Sequence, residues 1–202
     1  MLETHVIYRR ESMKPFVLSF LAAAALAVMA FALPATQSSA QDAAKPEANP
    51  VSNHVRQVVE RESKNMVAAA EEMPADKYSY HPTPAQMTFG HLMMHIATSN
   101  TFLCSKISGM PEPQSEKLTD TDPKEKLVAA VKASFEFCNN ALAKVDDSNL
   151  GEPITVFGGR SMSRAAVMIT LTDDLYDHYS AAAMYLRLND LLPPTAQHEK
   201  KM

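Results

Sequence analysis

Two short stretches hold residues whose types and spacing could do chemistry. The first is DDLYDHYSAAAMYLR, residues 173–187, in which Asp174 and His178 stand four apart. Residues four apart share one face of a helix. At about 100° per residue, Asp174 lies about 40° from His178, on one stripe with Met168, Leu171, Leu175, Ala182, Tyr185 and Leu186. Asp173 and Asp177 fall on the far side, where water solvates them. A carboxylate on an apolar stripe needs a partner, because leaving it buried and unpaired costs several kcal/mol.

The second stretch is HLMMHIA, residues 91–97. His95 lies at the edge of a stripe made by Phe89, Leu92, Ile96 and Leu103, while His91 is turned about 40° further towards solvent. His95 is therefore the better inward residue. An inward His on one helix and an Asp-x-x-x-His pair on another make a two-His, one-carboxylate donor set. Three protein ligands leave positions open for chemistry, and imidazole with carboxylate accepts Zn, Ni, Fe or Mn. The residues alone leave a second reading open, in which Asp174 and His178 form an ordinary helix ion pair and His95 is a satisfied core histidine. Tyr185 reads either as a pocket-lining residue or as packed core. His91 reads either as a supporting or replacement ligand or as a surface histidine.

Four helices must position these groups. Residues 51–73 place Val55, Val58, Val59, Met66, Ala69 and Met73 at helical spacing, and Pro74 stops them. YSYHPTPAQM is a loop. Thr88 can cap a second helix that runs to about Ser108 and ends at Gly109. Thr121 or Asp122 is expected to cap a third helix, with Pro123 at its first position, running to about Val145. ITVFGG, residues 154–159, is β-branched and aromatic and predicts a short extended piece or hairpin. Ser161 or Ser163 then caps a fourth helix, which reaches about Asn189 before Pro193 and Pro194. The expected fold is all-α, a four-helix bundle with a long crossover between helices two and three and a short extended segment before helix four. It occupies residues 51–194, with a flexible tail at 195–202.

The remaining sequence speaks to compartment. Residues 15–33 are almost wholly apolar, Arg9, Arg10 and Lys14 precede them, and Ser38-Ser39-Ala40 follows. That order describes a signal peptide over residues 1–40, cleaved before Gln41, although an uncleaved anchor has a similar apolar length. Residues 41–50 are polar and read as a flexible leader. Cys104 and Cys138 are the two cysteines. In an oxidising compartment a disulfide between them is the leading reading, and two buried thiols are the other. The loop of about 34 residues would contribute roughly 3–4 kcal/mol in the chain-entropy model. The chain carries a formal charge of −4, and no basic cluster remains after residue 40, which argues against nucleic acid and anionic membrane as partners.

FGHLMMHIA, HYSAAAMYLRLNDLLPP and YSYHPTP together resemble the DinB/YfiT-like family of four-helix metalloproteins. The similarity covers essentially the whole chain after residue 40. Exported members with a cysteine in each of the two middle helices look closest. The resemblance implies that His95 and His178 are metal ligands. Asp174 stands where a last-helix His is common in the family. It further implies a divalent metal cofactor and metal-assisted chemistry on a small molecule, as in members that are thiol-dependent transferases and isomerases. The expectation is thus a periplasmic or secreted metal-dependent transferase or hydrolase, free of a stable membrane anchor once cleaved. The alternatives are a non-catalytic metal- or ligand-binding bundle, or a structural bundle without metal that forms a homodimer.

Overall fold

The computed structural model describes residues 46–199. The expected signal peptide and leader residues 41–45 lie outside them. Helix α1 spans Pro50–Glu72, α2 Phe89–Ser108, α3 Lys124–Leu142 and α4 Arg164–Arg187, and a short α5 spans Pro194–Glu199. Strands β1, Pro153–Val156, and β2, Arg160–Ser163, form an antiparallel hairpin just before α4, with Ile154 opposite Met162. Among the described residues no helix is long and apolar enough to cross a membrane.

The helices form a four-membered ring in which α1 packs on α3 and α4, and α2 packs on the same two. Their directions follow from the contacts. Asn100 donates to Ser134 at 3.2 Å and Cys104 is bonded to Cys138, so α2 and α3 advance together as parallel neighbours. Ser99 meets Asp174 while Tyr185 meets Met87, so α4 runs against α2. Lys124 reaches the end of α1 and Arg56 the end of α3, so these two are antiparallel. The order is up-down-down-up, and the expected crossover between α2 and α3 is present. Parallel neighbours require residues 109–123 to travel back along the bundle. They can span about 50 Å, ample against the length of about 30 Å of the 20-residue α2. The returning chain passes directly over the start of α2: a Cβ on Gly90 would lie 2.6 Å from the Asp120 carbonyl oxygen.

Local chemistry sets the helix boundaries. Thr88 accepts from the His91 N–H and Ser163 from the Ala166 N–H, both as N-caps. Gly109, at φ 74°, ends α2 in the left-handed conformation. The exposed carbonyls at three helix C-termini are covered by cations from antiparallel neighbours. Lys124 Nζ donates to Glu71 and Met73, Arg56 Nη1 to Leu142 and Val145, and Arg164 Nη1 to Ile107. At the start of α1, Asp147 accepts from the Val51 and Ser52 N–H groups and the Ser52 hydroxyl.

Three boundary expectations need correction. Helix α3 begins at Lys124, after Pro123, and neither Thr121 nor Asp122 caps it. Asp122 instead accepts from the Thr119 N–H at 2.8 Å and pairs with Lys126, closing the turn that ends the crossover. The tail expected to be flexible from residue 195 is helical to Glu199, because Tyr179 accepts from the Thr195 N–H and Gln197 donates to Glu72. The last leader residues are also tied down: Asn53 donates to Glu47, and the Asn49 side chain accepts from the Asp147 N–H.

Candidate metal centre

Helix α4 buries Leu171, Leu175, Ala182 and Leu186, and this register turns Asp174 and His178 towards α2. Asp173 and Asp177 are exposed, as the helical phase requires. From α2, His95 arrives with its ring 4.8 Å from that of His178, edge to face. One ligand atom each from His95, Asp174 and His178 lies within 4.8 Å of the others. His178 Nδ1 is 3.3 Å from Asp174 Oδ2. Ser99, one turn along α2 from His95, donates its hydroxyl to the same oxygen at 2.6 Å.

The electrostatics suit a cation. Burial lowers the His95 pKa, the neighbouring His178 and His91 lower it further, and Asp174 partly opposes them. Burial works to raise the Asp174 carboxyl, but hydrogen bonds from His178 and Ser99 and the nearby imidazoles outweigh it and hold the carboxyl low. Asp174 is thus an anion facing two imidazoles, one of which burial favours as neutral. Neutral imidazole and ionised carboxylate are the ligating forms. Bonds of about 2.1 Å to one ion are compatible with these separations after small side-chain rotations, so the residues fit a divalent metal.

The centre opens on one side. His95, Ser99, Phe102 and Lys106 follow one another along a single face of α2 and form one wall of a cleft of about 550 Å³. The other wall is the hairpin tip, residues 155–159, including Gly158 and Gly159. His95 and Ser99 therefore belong both to the donor cluster and to the cleft.

Two expected site residues lie elsewhere. The Tyr185 hydroxyl donates to the Met87 carbonyl at 2.6 Å, and its ring packs against Tyr80 and Phe89. It is packed core, not pocket lining, because α4 has carried it past the cleft to the other end of α2. His91 keeps a half-exposed side chain with Nδ1 3.7 Å from Asp120, outside the donor cluster. Cys104 and Cys138 are disulfide-bonded and buried, with Cα atoms 5.2 Å apart. Sequence reasoning missed Ser99, which is visible only as a small hydroxyl one turn after His95. It also missed Glu62, 3% exposed amid the apolar stripe of α1, where Arg61 and Asn65 donate to it. Phase alone could have found Glu62, three residues after Val59 and four before Met66.

The profile of the DinB superfamily matches residues 59–182. No curated protein matches the chain in sequence. Among solved structures, a DinB-like protein from Bacillus cereus aligns with a TM-score of 0.59 at 18% identity, over 70% of this chain and 95% of that one. A DinB-like protein from Bacillus subtilis aligns with a TM-score of 0.57 at 20% identity, over 68% and 93%. A mycothiol-dependent maleylpyruvate isomerase aligns with a TM-score of 0.53 at 13% identity, over 64% of this chain and 59% of that one. With the profile covering well over half of the chain and the bundle shared by these neighbours, the protein belongs to the DinB superfamily.

Proposed function

We propose that the protein is an exported metal-dependent enzyme in which His95, Asp174 and His178 hold one divalent cation beside a small-molecule cleft. The convergence of three donor atoms from two helices within 4.8 Å carries this reading. A bound divalent cation supplies Lewis-acid polarisation and lowers the pKa of a coordinated thiol or water. The chain's residues do the rest. His95 places a donor at the mouth of the cleft, and Ser99 orients the Asp174 carboxylate from across the interface. Burial of His178, which is 8% exposed, keeps competing water away from the inner side. The donor set suits Zn, Ni, Fe or Mn.

Thiol transfer is placed ahead of hydrolysis. Support comes from the mycothiol-dependent neighbour and from the family resemblance. The signal-like order of residues 1–40 and the disulfide support a periplasmic or secreted location. The acidic balance gives no support to a nucleic-acid partner.

One observation favours a second reading. Asp174 and His178, 3.3 Å apart on one helix, also satisfy each other as an ion pair in a bundle without metal. The two readings separate in an assay of tag-free protein with mycothiol, glutathione and cysteine against an electrophilic acceptor, with ester hydrolysis in parallel. The proposal expects activity that a chelator removes, a divalent metal restores and His178→Ala abolishes. No activity, or activity indifferent to chelation, contradicts it.

A further inference from the structure

The cleft holds an arrangement that the donor cluster does not use. His95, Ser99, Phe102 and Lys106 are spaced i, i+4, i+7 and i+11, so one helix face runs from a metal donor over an aromatic ring to a cation. Lys106 Nζ is held 5.2 Å from the centre of the Phe102 ring, and the Phe157 ring lies 5.3 Å from Phe102. Phe157 stays 46% exposed at the hairpin tip, leaving apolar surface in water beside the cation. Among the described residues Lys106 forms no salt bridge, and it is the one permanently charged side chain that lines the cleft. Gly158 and Gly159 have open space where a side chain would project, so the wall there is low.

We propose that this cleft takes a flat, apolar small molecule bearing one carboxylate, with the carboxylate on Lys106, the body along Phe102 and Phe157, and the reacting end at His95. The proposal rests on the reading of His95, Asp174 and His178 as a metal site, and adds the class of substrate. The dimensions agree. Seven residues from His95 to Phe102 rise about 10 Å, and Lys106 leans back over Phe102. The volume of about 550 Å³ lies within the usual range for small-molecule sites, which are mostly apolar with a few placed polar groups. Phe102 also polarises the choice of ligand. Its ring face holds the ammonium in place, so the anion meets a positioned charge rather than a freely moving one.

The test uses 2-naphthoate and its neutral counterpart 2-naphthamide, titrated calorimetrically into the full folded protein. Naphthoate should bind about fivefold more tightly than naphthamide. Lys106→Met should erase that preference without changing metal content, and Lys106→Arg should restore it. Phe157→Ala should weaken both probes. Equal affinity for the two probes in the wild type, or a preference that survives Lys106→Met, overturns the proposal. Failure of the underlying metal reading looks different. A protein that binds naphthoate through Lys106 but takes up no stoichiometric metal contradicts the metal site, whereas metal-replete protein without the preference contradicts only the subsite.

Discussion

Ser99 and Asp174 meet across the α2–α4 interface, the Ser99 hydroxyl donating to Asp174 Oδ2 at 2.6 Å. Ser99 lies one turn beyond His95, so α2 provides one metal donor and also the group that aims a second. Groups that orient metal ligands change affinity by about 10–100-fold when removed. Ser99→Ala should therefore weaken divalent-metal affinity at least about tenfold in a chelator competition, with the fold retained by circular dichroism. Unchanged affinity would show that Asp174 needs no such aim.

Gly90 and Asp120 make the second prediction. The crossover backbone passes so close to α2 that a Cβ on Gly90 would approach the Asp120 carbonyl oxygen to 2.6 Å and the Tyr78 carbonyl oxygen to 3.2 Å. Neither is a flexible side chain, so one of the two segments has to move. Gly90→Ala should cost about 1–3 kcal/mol in denaturant unfolding, despite the better helix propensity of Ala. Gly151→Ala, where the added carbon meets open space, serves as the control.

The disulfide ties two parallel helices whose connection is the long crossover. Both cysteines are at most 1% exposed. They should resist mild reductant in folded protein and react only on unfolding. Replacing both with Ala should remove about 3 kcal/mol and lower Tm by about 10 °C in a thermal melt. A loss below about 0.5 kcal/mol would mean that the crossover is held by its packing alone.

The pH dependence of metal-free protein follows from His95. Its folded pKa is held below the ordinary value, first by burial and then by His178 and His91. The unfolded chain then takes a proton more readily than the folded one, so stability falls as pH drops through the unfolded value of about 6.5. Asp174 acts lower: its depressed carboxyl contributes stability that is present above about pH 3.9 and is lost as pH falls through its folded pKa. Melts of chelated protein between about pH 8 and pH 5 should show a larger loss of Tm in wild type than in His95→Asn. Equal losses would place the responsible group elsewhere.

The helices were legible because their signals are local. Thr88, Gly109 and Ser163 act at the boundaries that their types announce, and the apolar stripes placed His95, Asp174 and His178 on inward faces. The crossover could be inferred from the length of residues 109–123, but the parallel run of α2 and α3 depends on packing that spacing does not encode. The expected start of α3 at Pro123 is one residue early, since proline serves equally as the last residue before a helix or the first within it. Helical phase left Tyr185 open between pocket and core: it shares the stripe of His178, but only the packing shows that two turns along the bundle carry it past the cleft and into the core. Ser99, Phe102 and Lys106 follow His95 at helical spacing, but the hairpin that faces them meets α2 only in three dimensions, so spacing alone did not announce the cleft.

The most direct test of the central claim is elemental analysis of tag-free protein, in wild type and in His95→Ala, His178→Ala and Asp177→Ala. One divalent metal per chain is expected in wild type and in Asp177→Ala, whose side chain points to solvent. Neither His95→Ala nor His178→Ala should retain stoichiometric metal. Wild type without metal after supplementation with Zn, Ni, Fe and Mn, or metal that survives loss of both histidines, would contradict the account and leave Asp174 and His178 as an ion pair.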